Sequence, residues 1–204
     1  MTTQRLKRAE QAGGEHEVYE TPSWCVRRLL EAVSLPAGRW LEPAAGSGAI
    51  IRAVNPVYLA RRPPIISWTA CDIRPETLEA LTLLSPQAYT GDFLAEPAPE
   101  RWTHDVAITN PPYSKTGEFI IAARAHAPVV AMLLPIQFYG SVGRGLLWHE
   151  HSPDAIWLLP DRPQFVGGRS SSLEYGWWIW GPLRSEGPRL RRLRTTPLAE
   201  RRAG

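Results

Sequence analysis

Near the middle of this 204-residue chain stands Asn110-Pro111-Pro112-Tyr113, a run whose residue types suit one kind of chemistry. Each proline fixes its own φ and restricts the residue before it, so the segment is stiff and extended. Neither proline has a backbone N–H, so the segment offers mainly carbonyl oxygens. Asn110 adds a side-chain oxygen that accepts, and Tyr113 adds a flat ring. An exocyclic aromatic amine needs such a site, because its lone pair is delocalised into the ring and is a poor nucleophile. The Asn110 side-chain oxygen and the Pro111 carbonyl can hold both amino hydrogens. They draw the nitrogen toward tetrahedral geometry, with its lone pair aimed at an incoming methyl group. The same dipoles stabilise the positive charge that develops. Tyr113 can stack on the base.

Residues able to hold a cofactor recur upstream. Glu42-Pro43-Ala44-Ala45-Gly46-Ser47-Gly48 follows a short apolar run, and its glycines let backbone approach a ligand closely. A Gly-x-Gly turn also serves dinucleotide enzymes and ordinary tight turns. Asp72 can accept hydrogen bonds from both hydroxyls of a ribose, or cap the helix starting near Pro75. Gly91-Asp92-Phe93 offers an acceptor for an adenine amino group and an apolar cover for its ring, or a plain Gly-Asp turn.

These residues need elements to position them. Pro22 to Val33 reads as a helix capped by Thr21, with Val26, Leu29, Leu30 and Val33 on one face. Strands are expected at Arg39–Leu41, Ile65–Asp72, Gln87–Thr90, Asp105–Thr109 and the apolar run Val129–Leu134. Helices are expected from Ala49 to before Pro56, over Pro75–Leu84 and over Thr116–Ala127. Ala155–Leu159 and Glu174–Trp180 have strand composition with no helix between them. The alternation predicts a single α/β, Rossmann-like domain: a mostly parallel sheet with an antiparallel edge, and helices on both faces. Residues 1–18 read as a polar lead-in, 19–182 as the domain, and 183–204 as a basic, flexible tail. Each candidate residue then falls at a strand's carboxyl end, where open α/β sheets bind ligands.

Composition narrows the field. Apolar residues are 44% and charged residues 21%, which excludes a disordered chain. No apolar run is long enough to span a bilayer, and residues 1–20 lack a signal-peptide core, so a cytoplasmic protein without a membrane partner is expected. Cys25 and Cys71 lie in unlike contexts, and the five histidines have no metal spacing, so neither a disulfide framework nor a metal is expected. The net charge is +3, and Lys7 and Lys115 are the only lysines among 23 basic residues. Arginine's planar fork suits phosphate, but a GC-rich genome produces the same bias.

Taken in order, the motifs resemble the class I S-adenosylmethionine-dependent methyltransferases. Within them the chain is similar to the amino-methyltransferases with an Asn/Asp-Pro-Pro-Tyr motif, in particular the small phage-type DNA adenine methyltransferases. The resemblance runs from Tyr19 to about Trp180. Tyr19-Glu20-Thr21-Pro22 resembles the element that holds the methionine end of the cofactor. Glu42 to Gly48 resembles the first motif, through Glu42, Pro43, Ala44, Gly46 and Gly48. Asp72-Ile73 resembles the ribose position and Asp92-Phe93 the adenine position. Asn110, Pro111, Pro112 and Tyr113 resemble the catalytic motif, with Asn110 also beside the cofactor. Pro163-Gln164-Phe165 looks like the late element whose ring, with Tyr113, stacks on a flipped-out base. The resemblance implies S-adenosyl-L-methionine as cofactor and the exocyclic amino group of adenine in DNA as acceptor. It departs from the larger adenine enzymes in having only the basic tail after the last strand, where they carry a target-recognition region.

Other readings compete. The motif also serves RNA adenine, cytosine amino groups and protein glutamine. Phe165 to Ser172, with Arg162 and Arg169 close by, favours nucleic acid over glutamine. Ring-carbon methylation of cytosine would need a cysteine after proline, and there is none. A nicotinamide dinucleotide site could use Gly46-Ser47-Gly48 with Asp72 about 24 positions on, but Ile51 stands where the third glycine belongs. A catalytically silent nucleic-acid-binding relative would be expected to lack Asn110. The nine tryptophans are expected in the core, with Trp24 or Trp102 as outside candidates for the site.

Overall fold

The computed structural model describes residues 19–60, 66–140, 142–165, 172–182 and 190–192. The expected lead-in, and most of the expected tail, lie outside them. The described residues form one sheet: β1 (Gly38–Glu42), β2 (Ile66–Asp72), β3 (Gln87–Thr90), β4 (Val106–Thr109), β5 (Val129–Pro135), β6 (Ala155–Leu158), β7 (Tyr175–Trp180) and β8 (Leu190–Arg192). Their spatial order is β3-β2-β1-β4-β5-β7-β6-β8. The first five strands pair in parallel, and β7 runs antiparallel between β5 and β6. The strand order reverses between β1 and β4, which opens a crevice at their carboxyl ends.

Side chains alternate across the sheet, and each face has its own core. On one face Trp40, Trp68, Ala131, Leu133 and Trp177 pack against α1 (Ser23–Ala32) and α2 (Ala49–Ala60). On the other, Leu41, Ala107, Val130, Met132 and Trp178 meet Phe119, Ile120 and Ala123 of α4 (Thr116–His126). The short helices α3 (Leu78–Thr82) and α5 (Gly145–His151) complete the described set. The Trp177 indole N–H donates to the Cys25 carbonyl at 2.9 Å and ties α1 to the sheet. Seven of the nine tryptophans are buried; neither Trp24, in the core, nor Trp102, 58% exposed, lines the site.

Four expectations differ from what is observed. Thr21 makes no capping bond; Pro22 holds the N-cap position of α1 and its carbonyl accepts from Cys25 N–H. Helix α2 continues through Pro56 to Ala60. Buried Ile50, Ile51, Ala53 and Val54 hold it to the core, and Tyr58 beyond the proline bonds the Leu35 carbonyl. Tertiary packing thus outweighs the lost backbone bond. The helix expected over Pro75–Leu84 is a 3-10 turn, Pro75–Thr77, followed by the five-residue α3. Finally, Leu190–Arg192, within the stretch read as tail, is a strand parallel to β6.

Candidate active site

A cavity of about 480 Å³ lies at the carboxyl ends of β1, β2 and β4. Its floor is the loop after β1. Gly46 and Gly48 have φ of +56° and +84°, and a Cβ at Gly48 would run into the Leu84 side chain. These positions need glycine, so the loop takes its sharp path because of its sequence. Gly46, Pro43 and Ala44 line the cavity, whereas Gly48 shapes the turn from outside it. The loop is fastened to β2 by Ala45 N–H to the Cys71 carbonyl at 2.8 Å. It is held again by Gly46 N–H to Asp72 Oδ2 at 2.6 Å.

Asp72 is 5% exposed, and Arg74 donates to its Oδ1 from both the backbone N–H (3.0 Å) and Nε (2.9 Å). It caps no helix: the residue before Pro75–Thr77 is Arg74, with no side-chain cap. Beside it Ile73 lines the cavity at 43% exposure, an apolar surface suited to one face of a flat ring. Asp92 and Phe93 line the cavity next to them, where the Gly91 N–H donates to the Asp72 carbonyl at 3.1 Å. Asp92 spends one oxygen on the Leu94 N–H, and Phe93 is buried against Phe119 and His126.

Glu42 is the anomaly. Its side chain lines the cavity at 1% exposure, and its buried Oε2 has no hydrogen-bond partner among the described residues. Burial pushes its carboxyl well above the ordinary range, and nearby Asp72 adds to the shift. A buried carboxylate oxygen without a donor is costly unless something in the cavity supplies one.

The segment before α1 closes one side. Tyr19, Glu20 and Thr21 line the cavity, while Pro22 does not. Ser47 Oγ donates to Glu20, and Arg52 reaches Ser47 O at 2.6 Å and Glu20 Oε1 at 3.6 Å. These three residues clamp the segment to the loop.

Asn110, Pro111 and Pro112 line the wall at the end of β4. The half-buried Asn110 donates from Nδ2 to the Tyr19 carbonyl at 3.2 Å and accepts the Tyr113 hydroxyl hydrogen on Oδ1 at 3.0 Å. Tyr113 itself lies outside the cavity lining. Its ring stacks on Tyr19, 5.4 Å between centroids and 17° between planes. Phe165, 7% exposed, meets Tyr19 and Tyr175 edge-on, and Tyr175 tilts against Tyr113. The two rings expected to hold a base thus share one aromatic cluster beside Asn110. Burial and the neighbouring Tyr175 raise the Tyr113 phenol well above its usual value, so it stays a donor.

From sequence, no role of their own was assigned to Glu20 and Ser47, which stand within motifs, and none to Arg52, Arg74 and Lys115. Lys115, in the turn after Tyr113, puts a cation on the cavity lining. Its position two residues after the motif was the available signal. Among the described residues no group of His, Cys, Asp and Glu could hold a metal ion, and no helix is long and apolar enough to cross a membrane.

No protein-family model and no curated protein matches the sequence. Solved structures do. A Listeria monocytogenes protein assigned to the class I S-adenosylmethionine-dependent methyltransferases superposes with a TM-score of 0.60 at 17% identity, over 93% of this chain and 72% of its own. A type I restriction-modification system methyltransferase subunit from Streptococcus thermophilus gives 0.58 at 17% identity, over 83% and 46%. A dimethyladenosine transferase from Plasmodium falciparum gives 0.54 at 14% identity, over 81% and 63%. The chain spans less than half the length of the restriction-modification subunit. At these identities what is shared is the fold: this chain has the Rossmann-like architecture of the class I methyltransferases.

Proposed function

We propose that the protein transfers a methyl group from S-adenosyl-L-methionine to the exocyclic amino group of adenine in DNA. The observation that carries this reading is that Asn110 and Pro111 line the same cavity as Glu42 and Asp72. A nucleotide-bearing cofactor and an amino-group acceptor would then meet there.

The residues present fit that cofactor. Glu42 offers a buried, partnerless oxygen to the cofactor's ammonium group. Asp72, whose carboxylate already accepts from Gly46 and Arg74, would take ribose hydroxyls in exchange for Arg74 bonds. Ile73 offers an exposed apolar face to the adenine ring, and Asp92 lines the same cavity. Tyr19 and Thr21, on the same lining, would hold the methionine end. When bound, the cofactor supplies an electrophilic methyl group. The chain's own part is to hold the acceptor: Asn110 Oδ1 and the Pro111 carbonyl take the two amino hydrogens, and their dipoles favour positive charge on the nitrogen. Tyr113 and Phe165 pack on Tyr19 outside the cavity lining, so for either ring to take up the base the Tyr19 contact would have to open.

The arginines from 189 to 194 suit the phosphate backbone of either nucleic acid, adding salt-dependent affinity without sequence choice. DNA is put first on the resemblance to the small phage-type DNA adenine methyltransferases. RNA adenine is the second reading, since a 23S rRNA methyltransferase shares the fold. The test is incubation with methyl-labelled cofactor and unmethylated plasmid DNA or total RNA, followed by mass spectrometry of the nucleosides. N6-methyladenine from DNA is expected. Label in RNA alone moves the assignment to the second reading, and label in neither polymer refutes it.

A further inference from the structure

The Asn110 amide is oriented by two partners. A side-chain amide has a donor end and an acceptor end of similar size, and only its neighbours decide which way it faces. Here one end lies 3.2 Å from the Tyr19 carbonyl, which can only accept, so that end must be the NH2. The other end lies 3.0 Å from the Tyr113 hydroxyl, which can donate to an oxygen. Turning the amide over would set oxygen against oxygen at Tyr19.

We propose that the Tyr113 hydroxyl and the Tyr19 carbonyl form a positioning pair that fixes the Asn110 amide with its oxygen presented for the reaction. The inference rests on the proposed role of Asn110 as acceptor for the amino group. A carbonyl oxygen has two lone pairs, so Oδ1 can take the Tyr113 hydrogen and still accept one from the substrate. The tyrosine of the motif thereby has a task for its hydroxyl in addition to the stacking role that sequence alone suggests. The Tyr19–Tyr113 stack keeps both partners in register, with the rings 17° from parallel. Because Tyr19, Glu20 and Thr21 also line the cofactor cavity, the amide's orientation is tied to the placing of the N-terminal segment.

The discriminating variant is Tyr113→Phe, which keeps the ring and removes only the hydroxyl. Steady-state methyl transfer is measured with unmethylated plasmid DNA, or with total RNA where that is the polymer the unsubstituted protein labels. Calorimetry of S-adenosylhomocysteine binding, a melting curve and Asn110→Ala accompany it. The expected result is a kcat about tenfold lower, the scale of one net hydrogen bond, with KM for the polymer and cofactor affinity unchanged. An unchanged kcat overturns the positioning role. So does a raised KM or a lowered melting temperature, which would make the hydroxyl a binding or structural group. If Asn110→Ala itself keeps normal turnover, the underlying reading of the site fails instead, and the two failures are told apart.

Discussion

Gly46 donates its backbone N–H to the Asp72 carboxylate at 2.6 Å, so the loop after β1 and the end of β2 are joined through one charged side chain. Arg74 holds the other oxygen at 2.9 Å. Asp72 therefore shapes the cavity besides facing it. Asp72→Ala should weaken S-adenosylhomocysteine binding by about 1–3 kcal/mol, the scale for losing a charged acceptor. It should also loosen the loop, seen as faster amide exchange at Gly46. Calorimetry with a nicotinamide dinucleotide in place of S-adenosylhomocysteine should show no binding; a preference for the dinucleotide would sink the cofactor assignment.

Glu42 leads to a trade between stability and binding. Burial raises its carboxyl pKa, so the folded chain holds the proton more tightly than the unfolded chain does. Stability accordingly falls as pH rises from the ordinary carboxylate range toward the raised folded value. Glu42→Gln removes that fall, so the variant should match the parent at acid pH and melt higher at neutral pH. Its affinity for S-adenosylhomocysteine should drop about tenfold or more, as for a lost charge-assisted hydrogen bond. A variant that binds normally would leave the orphaned oxygen without a cofactor role.

For Asn110 the expectation is chemical. Asn110→Ala should leave the melting temperature and cofactor affinity nearly unchanged while single-turnover methyl transfer slows about 100-fold or more, the order for one preorganised electrostatic contact. Asn110→Asp sets an oxygen where Nδ2 now faces the Tyr19 carbonyl at 3.2 Å, so it should be only partly active despite keeping an acceptor. Full activity in the aspartate variant would mean that the Tyr19 contact has no bearing on the reaction.

Pro56 offers a test remote from the cavity. It is exposed within α2 and leaves the Arg52 carbonyl without its helical donor. Pro56→Ala should stabilise the protein by about 1–3 kcal/mol, read as a higher denaturant midpoint, with cofactor binding unchanged. A destabilised variant would show that the helix needs the proline's bend.

The strand ends were legible because hydrophobic runs and punctuation coincide there: Gln87–Thr90 is observed as read, and Val129–Leu134 differs only by the addition of Pro135. Most candidates at those ends, from Glu42 to Pro112, face one cavity. Contacts between distant segments were not legible. Glu20 meets Ser47 and Arg52 across 27 and 32 positions, and no local pattern announces such a pairing. Tyr113 looked like a bare ring because its hydroxyl's partner depends on the turn that Pro111 and Pro112 impose. At Pro56 local propensity pointed the wrong way, because four buried neighbours on α2 decide the matter.

Leu190–Arg192 runs beside Ala155–Leu158 and covers the outer backbone of β6. Removing the chain beyond Pro182 would bare that backbone, a row of unpaired donors and acceptors ready to template another molecule's strand. These three residues replace the longer edge of β6 with a very short one, which templates another strand less readily. A truncated protein should show concentration-dependent growth in light scattering that the full chain lacks.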